Sequence, residues 1–216
     1  MFLTTTVISA AWASEPVALK VGQHIFKADN NFPTSGFIGA RFQVLMNGAD
    51  EKNNLQYRWS SNQPWVSVSP QGEVRFDAPP TPETKTVSVT AAPPAGGPAF
   101  VHIFTIKNWF INDGTNKKKG LDATAWCQAQ GTGYVLPTVS AMTTLPSDGK
   151  SPARDASGPL WNTWGPLVIY ANGWQLEPYW SADMQGSSRK AVGMVGGRLY
   201  TLPENDTNHV MCLRTL

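Results

Sequence analysis

Apolar and polar residues alternate with a period of two along the first half of the chain. The alternating segments are 40–46, 55–60, 65–76, 85–91 and 99–106. Successive side chains of a β-strand point to opposite faces, so each segment predicts a strand with one buried face, and 65–76 predicts two strands around a Pro-Gln-Gly turn. The predicted inward-facing residues include Phe42, Val44, Met46, Leu55, Tyr57, Trp59, Val66, Val68, Val74 and Phe76. Short strands at regular spacing, separated by turn residues, predict an antiparallel Ig-like β-sandwich.

The pattern changes after residue 106 and predicts two short helices followed by strands. Asp122 is the predicted N-cap of the first helix, which runs from Ala123 to Gln130 and stops at Gly131. Thr138 is the predicted N-cap of a second helix over 139–145. The later apolar segments are predicted to be strands: 160–165, 167–175, 179–184, 191–202 and 209–216. The second half is therefore predicted to be an α+β domain.

The length of the chain, 216 residues, suits two domains of about 100 residues each. We predict that 19–106 form the sandwich and 107–216 the α+β domain, with 1–18 a leader, a linker or the end of a preceding module. Ala11 and Ala13 resemble a signal-peptidase site, but no Lys or Arg precedes the apolar residues, which favours a linker or strand. No run of about 18 apolar residues occurs, so no membrane insertion by this segment is predicted.

The charge composition narrows the class of partner. Charged residues make up 15% of the chain, against roughly 25% in ordinary globular domains. This balance is common in extracellular β-rich modules. A net charge of +2 is too small to indicate binding to nucleic acid or to a membrane surface. The one basic cluster, Lys117 to Lys119, is predicted to be a solvated loop.

Four roles are open for Cys127 and Cys212, the two cysteines of the sequence: nucleophile, metal ligand, buried structural residue or half of a disulfide. A nucleophile needs a base such as histidine within hydrogen-bond reach, and His209 is the one histidine of the second half. A zinc site would combine both cysteines with His209, but residues 209 and 212 of a strand point to opposite faces and a fourth ligand is lacking. An even cysteine count in this type of composition favours a disulfide, with the other roles left open.

Motifs that indicate an enzyme are absent from the sequence. It contains no Gly-x-Ser-x-Gly, P-loop, dinucleotide-binding or His-Glu-x-x-His motif. The carboxylates of the second half lack a pattern typical of a glycosidase: Asp148, Asp155, Glu177, Asp183, Glu204 and Asp206. We therefore predict a protein without catalytic residues, cofactor or metal.

Six of the nine tryptophans lie in the second half, where they could form either a core or a sugar-stacking face. Four of them fall in apolar segments and are predicted core residues: Trp126, Trp161, Trp164 and Trp180. Trp174 follows a turn and is predicted to be exposed, with Tyr170 extending the same patch.

Several motifs of the second half occur together in a specific order: KNWFIN, DATAWCQAQGTGYVLPT, LWNTWG, YANGW, YWSADM and HVMCLRTL. This order resembles the C-type lectin-like domain of the intimin/invasin adhesins, which are inverse autotransporters of Gram-negative bacteria. The first half, with NFPTSGFIGARFQV, YRWSSNQPWVSVSPQGEVRF and KTVSVTA, is similar to the bacterial Ig-like domain that precedes it. The resemblance covers about residues 20–216.

The resemblance implies a disulfide between Cys127 and Cys212 that joins the first helix to the last strand. It implies a rigid two-domain tip on the bacterial cell surface, as the exposed part of an outer-membrane protein. It also implies that a monomer binds a host protein, either a cell-surface receptor or a soluble protein such as an immunoglobulin. Calcium is not expected, because the nearest strings to calcium-binding motifs, 177–179 and 161–163, each lack an oxygen ligand.

The candidate partner-binding residues lie in the second domain. Arg189 and Lys190 are predicted charge-steering contacts, and Tyr170 and Trp174 a predicted aromatic anchor. Two alternative functions are a calcium-independent carbohydrate-binding lectin that uses the tryptophan-rich face, and a structural stalk segment without a ligand.

Overall fold

The computed structural model describes residues 17–28, 31–48, 50–144 and 151–216, so the predictions for residues 1–16 and for Leu145 lie outside the described residues. The strands are β1 (Ala18–Val21), β2 (His24–Lys27), β3 (Ser35–Gly36), β4 (Arg41–Leu45), β5 (Arg58–Ser61), β6 (Val66–Val68), β7 (Glu73–Phe76), β8 (Thr86–Ala92), β9 (Phe100–Thr105), β10 (Asn108–Asn112), β11 (Lys118–Lys119), β12 (Tyr134–Val135), β13 (Tyr179–Gln185), β14 (Ser188–Gly193), β15 (Arg198–Pro203), β16 (Thr207–Asn208) and β17 (Met211–Thr215). The α-helices are α1 (Gly120–Ala129), α2 (Val139–Met142) and α3 (Leu160–Trp164), and 3-10 helices span Lys52–Gln56 and Leu167–Tyr170.

The first half forms two antiparallel sheets that share one core. One sheet has the strand order β2-β1-β4-β7-β6, and the other has the order β5-β8-β9. In β8 the buried residues alternate with more exposed ones, since Val87, Val89 and Ala91 face the core. The rings of Phe42 on β4 and Phe104 on β9 lie 5.9 Å apart and join the two sheets. The predicted sandwich is therefore present.

One predicted inward-facing residue is wrong. Leu55 is 62% exposed because it lies in the 3-10 helix before β5 and not in a strand. Asn54 occupies the interior position instead. Its amide nitrogen donates to the carbonyl oxygens of Val44 at 2.6 Å and Gln71 at 2.7 Å. These two bonds compensate the burial of a polar side chain.

The second half contains a four-stranded sheet with the order β12-β17-β10-β3, a meander β13-β14-β15, and the short pair β11-β16. Strand β3 belongs to the first half, yet it pairs in parallel with β10. A Cβ atom at Gly36 would lie 2.9 Å from the rings of Phe76 and Trp109, so glycine permits this close approach. The sheet therefore crosses the predicted boundary at 106, and the boundary itself stays a prediction.

An aromatic cluster joins the two halves of the chain. The ring of Phe37, from the first half, lies 5.5 Å from Trp164, 5.0 Å from Tyr170 and 5.2 Å from Trp174. The indole Nε1 of Trp164 donates to the carbonyl oxygen of Ser35 at 3.2 Å and to its hydroxyl at 3.1 Å. Rings that pack edge to face across a seam contribute both buried area and geometric specificity. The two halves therefore share one hydrophobic core.

Polar contacts reinforce the same seam. Asn172 donates from its amide to the carbonyl oxygen of Ile38 at 2.6 Å. The guanidinium of Arg41 donates to the carbonyl oxygen of Ile169 at 3.0 Å, and it lies 5.3 Å from the centre of the Tyr170 ring. These contacts fix the orientation of the first half against the 3-10 helix Leu167–Tyr170 and the loop that follows it.

The predicted strands over 160–165 and 167–175 are wrong, since both segments begin as short helices. All five residues of α3 are buried, so no polar face reveals the helical period in the sequence.

Arg154, which lies before α3 in the chain, stabilises the C-terminal end of this helix. Its Nε donates to the carbonyl oxygen of Asn162 at 2.9 Å and its Nη2 to that of Thr163 at 2.8 Å. A cation at the C-terminal carbonyls of a helix is favourable.

The predicted start of α1 is also wrong. The helix begins at Gly120, so Asp122 lies in its first turn and is not its N-cap. The N–H of Gly120 donates to the carbonyl oxygen of Glu204 at 2.9 Å, which ties this helix end to the chain after β15. Thr138 does occupy the N-cap position of α2, but that helix ends at Met142.

Candidate binding surface

Cys127 on α1 and Cys212 on β17 form a disulfide, with Cα atoms 5.4 Å apart. This is the pairing that the resemblance implies. Both sulfurs lie in a small buried cluster with Ala123, Leu136, Trp180, Ala191 and Val210. No free cysteine occurs among the described residues, so neither thiol is available as a nucleophile or a metal ligand.

The prediction that Tyr170 and Trp174 are exposed is wrong, because each side chain is only 4% exposed. The hydroxyl of Tyr170 donates to the carbonyl oxygen of Trp164 at 2.9 Å, and burial raises the pKa of this hydroxyl. Ala171 adopts a left-handed φ of 51°, which turns the chain sharply between the two aromatic residues. Both rings pack on Phe37 of the first half. They hold the two halves together and do not form an anchor for a partner.

Arg189 is a structural cation and not a free surface charge. Its Nε and Nη2 donate to Oε1 of Glu204 at 2.9 Å and 2.6 Å, and its Nη1 donates to the carbonyl oxygen of Ser181 at 3.0 Å. The side chains of this pair are 12% and 19% exposed. The predicted charge-steering role of Arg189 is therefore corrected to that of holding Glu204. Lys190 makes no ion pair within the described residues, and its role as a contact stays a proposal.

Arg189→Ala is expected to lower the free energy of unfolding by about 2–4 kcal/mol, since it leaves the carboxylate of Glu204 half-buried without its cation. Lys190→Ala removes the same charge at the next position, and it is expected to cost no more than about 0.5 kcal/mol. Urea unfolding of the two variants measures the difference. Equal effects would show that net charge matters here and that the Arg189–Glu204 pair does not.

The lysine run is only partly solvated, which corrects its prediction as a free loop. Lys117 Nζ lies 3.0 Å from Oε1 of Glu177, and Lys118 Nζ lies 3.5 Å from Oδ2 of Asp113. His209 Nε2 lies 3.4 Å from Oε2 of the same Glu177. Burial raises the pKa of the Asp113 carboxyl, because its hydrogen bond and its neighbouring cations offset the lost hydration only in part. These contacts tie three loops of the second half to one another.

The chemistry of these loops does not indicate a metal site. Within the described ranges, no group of three or more His, Cys, Asp or Glu side chains could hold a metal ion. Among those same residues, no helix combines the length and apolar character that crossing a bilayer requires.

Tyr200 carries the one exposed aromatic ring among the described residues, at 42% exposure. It lies on β15, the outer strand of the meander β13-β14-β15. The ring borders a shallow groove of about 570 Å³, which we call the Tyr200 groove. The residues that line it are Pro178, Tyr200, Leu202, Asn205, Asp206, Thr207 and Asn208. A half-exposed aromatic ring in a concavity with a polar rim has the composition of a binding hot spot.

The polar rim of the Tyr200 groove is held at both ends. The N–H of Asp206 donates to the carbonyl oxygen of Pro203 at 3.0 Å and closes a turn after β15. Thr207 and Asn208 form β16, which pairs with β11. The ion pair between Arg189 and Glu204 fixes the residue at the start of the turn. The rim is therefore positioned before any ligand arrives, which reduces the ordering cost of binding.

A second cavity, of about 270 Å³, lies at the seam between the halves. Its lining includes Lys20, Arg41, Glu73 and Ile169. Arg41 is already engaged there, with Oε2 of Glu73 3.9 Å from its Nε and the carbonyl oxygen of Ile169 bonded to its Nη2. This cavity lacks an exposed ring, so the Tyr200 groove is the stronger candidate.

Sequence reasoning did not single out Tyr200. The strand containing it was predicted within 191–202, but alternation along one strand does not show whether that strand lies inside a sheet or at its edge. In the row Trp180–Ala191–Tyr200 across the meander, the first two residues are buried and only the last is exposed. Trp180 lies on β13, the other edge strand, and is covered by the cluster around the disulfide, so long-range packing decides which ring of the row is exposed.

Comparison with known proteins gives relatives for both halves. The sequence model of the family described as "Invasin, domain 4" matches residues 17–104. The structure of invasin, described as a bacterial integrin-binding protein, superposes over 92% of this chain and 39% of its own, with a TM-score of 0.79 and 28% identity. The inverse autotransporter adhesin YeeJ of Escherichia coli (strain K12) is 31% identical over 164 residues.

Residues 17–104 match the invasin domain 4 family, and the chain as a whole is similar to the intimin/invasin adhesins in sequence and fold. The predicted fold class, an Ig-like sandwich followed by an α+β C-type lectin-like domain, is confirmed. A C-terminal fragment of intimin shares the fold at 12% identity, with a TM-score of 0.63 over 91% of this chain and 64% of the fragment. The relatives named by the comparisons are an inverse autotransporter adhesin and an invasin, which agrees with the predicted position on the bacterial cell surface.

The relatives are far longer than the matched region. YeeJ is matched over 74% of this chain but 6% of its own length, and the invasin of Yersinia enterocolitica, 29% identical, over 76% and 19%. The family members named by these comparisons are adhesins and not enzymes. The chain thus spans only a small part of the length of these relatives, and their partners are not assigned to it.

Proposed function

We propose that the chain recognises a protein on the surface of a host cell, without catalysis and without calcium. The observation that carries the proposal is the Tyr200 groove, an exposed ring with a polar rim on a scaffold of two joined domains. Among proteins of this fold, invasin is described as integrin-binding, and intimin was solved in complex with the translocated intimin receptor. A soluble host protein such as an immunoglobulin is a further partner of the same class.

The scaffold suits recognition at a cell surface. Aromatic residues dominate the binding energy of protein interfaces because they bury a large area at a small entropic cost. The groove rests on a meander whose Trp180 and Ala191 pack against the disulfide cluster, and the second half is fixed to the first by the Phe37 seam. A rigid support lowers the conformational cost of association. Lys190 on β14 supplies a nearby positive charge that we propose steers the encounter.

Two alternatives make different predictions. A lectin that uses a tryptophan-rich face lacks its platform, since none of the described tryptophans is exposed. A stalk segment without a ligand would bind no host protein at all.

The proposal is tested by adding the purified, fluorescently labelled chain to cultured mammalian epithelial cells. We expect saturable binding that excess unlabelled chain displaces. Treatment of the cells with a protease before the assay is expected to reduce binding about tenfold, because the receptor is a protein. Binding that neither saturates nor responds to the protease would contradict the proposal, and absence of binding would favour the stalk.

A further inference from the structure

The side chains of the Tyr200 groove offer two kinds of contact in one place. The ring of Tyr200, with Pro178 and Leu202, forms an apolar floor. Beside it, Asn205, Asp206 and Thr207 are exposed. Within the described part of the chain, these three side chains and the Tyr200 hydroxyl make no hydrogen bond. They are therefore available to a ligand with closely spaced hydroxyl groups.

We infer that the Tyr200 groove binds a neutral saccharide carried by the host partner. The inference rests on the proposed function, since it names the chemical group that the host protein presents to the groove. A hexose ring has a C–H face that packs on an aromatic ring and a rim of hydroxyls that donate and accept hydrogen bonds. The Tyr200 ring matches the face. Amide, carboxylate and hydroxyl side chains in one short segment match the rim.

The charge of the groove selects among saccharides. Asp206 is the one charged residue of its lining, and no lining residue is a cation. Arg189, beside the groove, is already paired with Glu204. Lys119 and Lys190 lie on the paired strands opposite Thr207 and Thr201, but neither lines the groove. A sialylated or sulfated glycan would bring a second negative charge beside Asp206, with no cation in the lining to compensate it. The groove is therefore matched to neutral glycans and opposes acidic ones.

The shape of the groove agrees with this chemistry. A volume of about 570 Å³ lies within the range of small-ligand sites. The groove is shallow and open along β15, so a ring at the end of a longer glycan can enter without threading. An extended peptide of the partner is the other occupant of similar width. The two occupants are distinguished by experiment, since binding of a peptide persists after glycans are removed and binding of a saccharide does not.

The test uses the whole chain on an array that contains neutral, sialylated and sulfated glycans, in the presence of EDTA. We expect binding to a subset of neutral glycans and a loss of about tenfold or more in Tyr200→Ala. Asp206→Asn removes the repulsive charge and is expected to increase the ratio of acidic to neutral glycans bound. Val135→Ala is the matched control, because Val135 is 53% exposed and does not line the groove. Circular dichroism confirms that each variant is folded.

Enzymatic removal of glycans from the cells separates this inference from the proposed function. Loss of binding to deglycosylated cells, together with neutral-glycan binding on the array, supports both. The saccharide inference is contradicted if binding to deglycosylated cells is unchanged and still sensitive to protease. It is also contradicted if the unaltered chain binds no neutral glycan more strongly than Tyr200→Ala does. In both cases the proposed protein receptor is unaffected. A preference for sialylated glycans likewise overturns it. Absence of binding to intact cells is a failure of the proposed function, whatever the array shows.

Discussion

Trp164→Ala is expected to lower the free energy of unfolding by about 3–5 kcal/mol, the range for deletion of a large buried aromatic side chain. Trp164 is fully buried, and its ring contacts Phe32, Phe37 and Phe76 of the first half. The substitution also leaves Ser35 without its indole donor. Because these contacts span the seam, we expect the two halves to unfold at separate urea concentrations in the variant.

Trp126→Ala is the matched control for this experiment. Trp126 is half-buried on α1, and Lys118 Nζ lies 5.2 Å from the centre of its ring, away from the seam. We expect a smaller loss, about 1–2 kcal/mol, and a single transition like that of the unaltered chain. Equal losses in the two variants, or one shared transition in Trp164→Ala, would contradict the role of the seam in coupling the halves.

Replacement of both Cys127 and Cys212 by alanine is expected to lower the free energy of unfolding by about 4–5 kcal/mol in the chain-entropy treatment. The disulfide closes a chain segment of 85 residues, so its removal greatly increases the freedom of the unfolded chain. It also separates α1 from β17 in the cluster beneath the meander. Urea unfolding measures the loss, which should fall on the second half.

Reduction of the unaltered chain by dithiothreitol serves as the control for the double replacement. Both samples lack the covalent link, so they should unfold at similar urea concentrations. A double variant that is less stable than the reduced chain by several kcal/mol would show that the cysteines act through packing. A loss below about 1 kcal/mol in both would show that the link does not constrain the unfolded chain.

The sandwich could be predicted from the sequence because its strands each have one buried face. Alternation identified β4, β6, β7, β8 and β9 with boundaries within two residues. The disulfide was favoured by cysteine count and implied by the family resemblance. Both kinds of signal are local or depend on residue type, and neither requires knowledge of how the two halves meet.

The errors arise where the halves meet. Tyr170 and Trp174 border an Ala-Asn-Gly turn, and a turn in an isolated domain is an exposed place. Here Phe37 from the other half covers it, so the aromatic residues are core. The buried helix α3 was predicted to be a strand. A short segment that is buried on every side shows neither the helical period of about 3.6 residues nor the strand period of two. Such contacts are long-range, and one sequence does not reveal them.

The candidate surface was predicted only in part. The predicted contact residues Arg189 and Lys190 lie on the strand next to β15, and Arg189 holds Glu204 at the start of the turn that forms the groove rim. Tyr200 was missed because its exposure depends on which elements cover the meander. Trp180, on the other edge strand β13, packs in the cluster around the disulfide, whereas Tyr200 is left exposed.

The central claim is that the Tyr200 groove contacts the host protein, and comparative cell binding tests it most directly. The dissociation constants of the unaltered chain, Tyr200→Ala and Val135→Ala are measured on the same epithelial cells. We predict that Tyr200→Ala weakens binding about tenfold or more, while Val135→Ala binds like the unaltered chain. Equal binding by all three folded proteins would contradict the claim and place the contact elsewhere on the two domains.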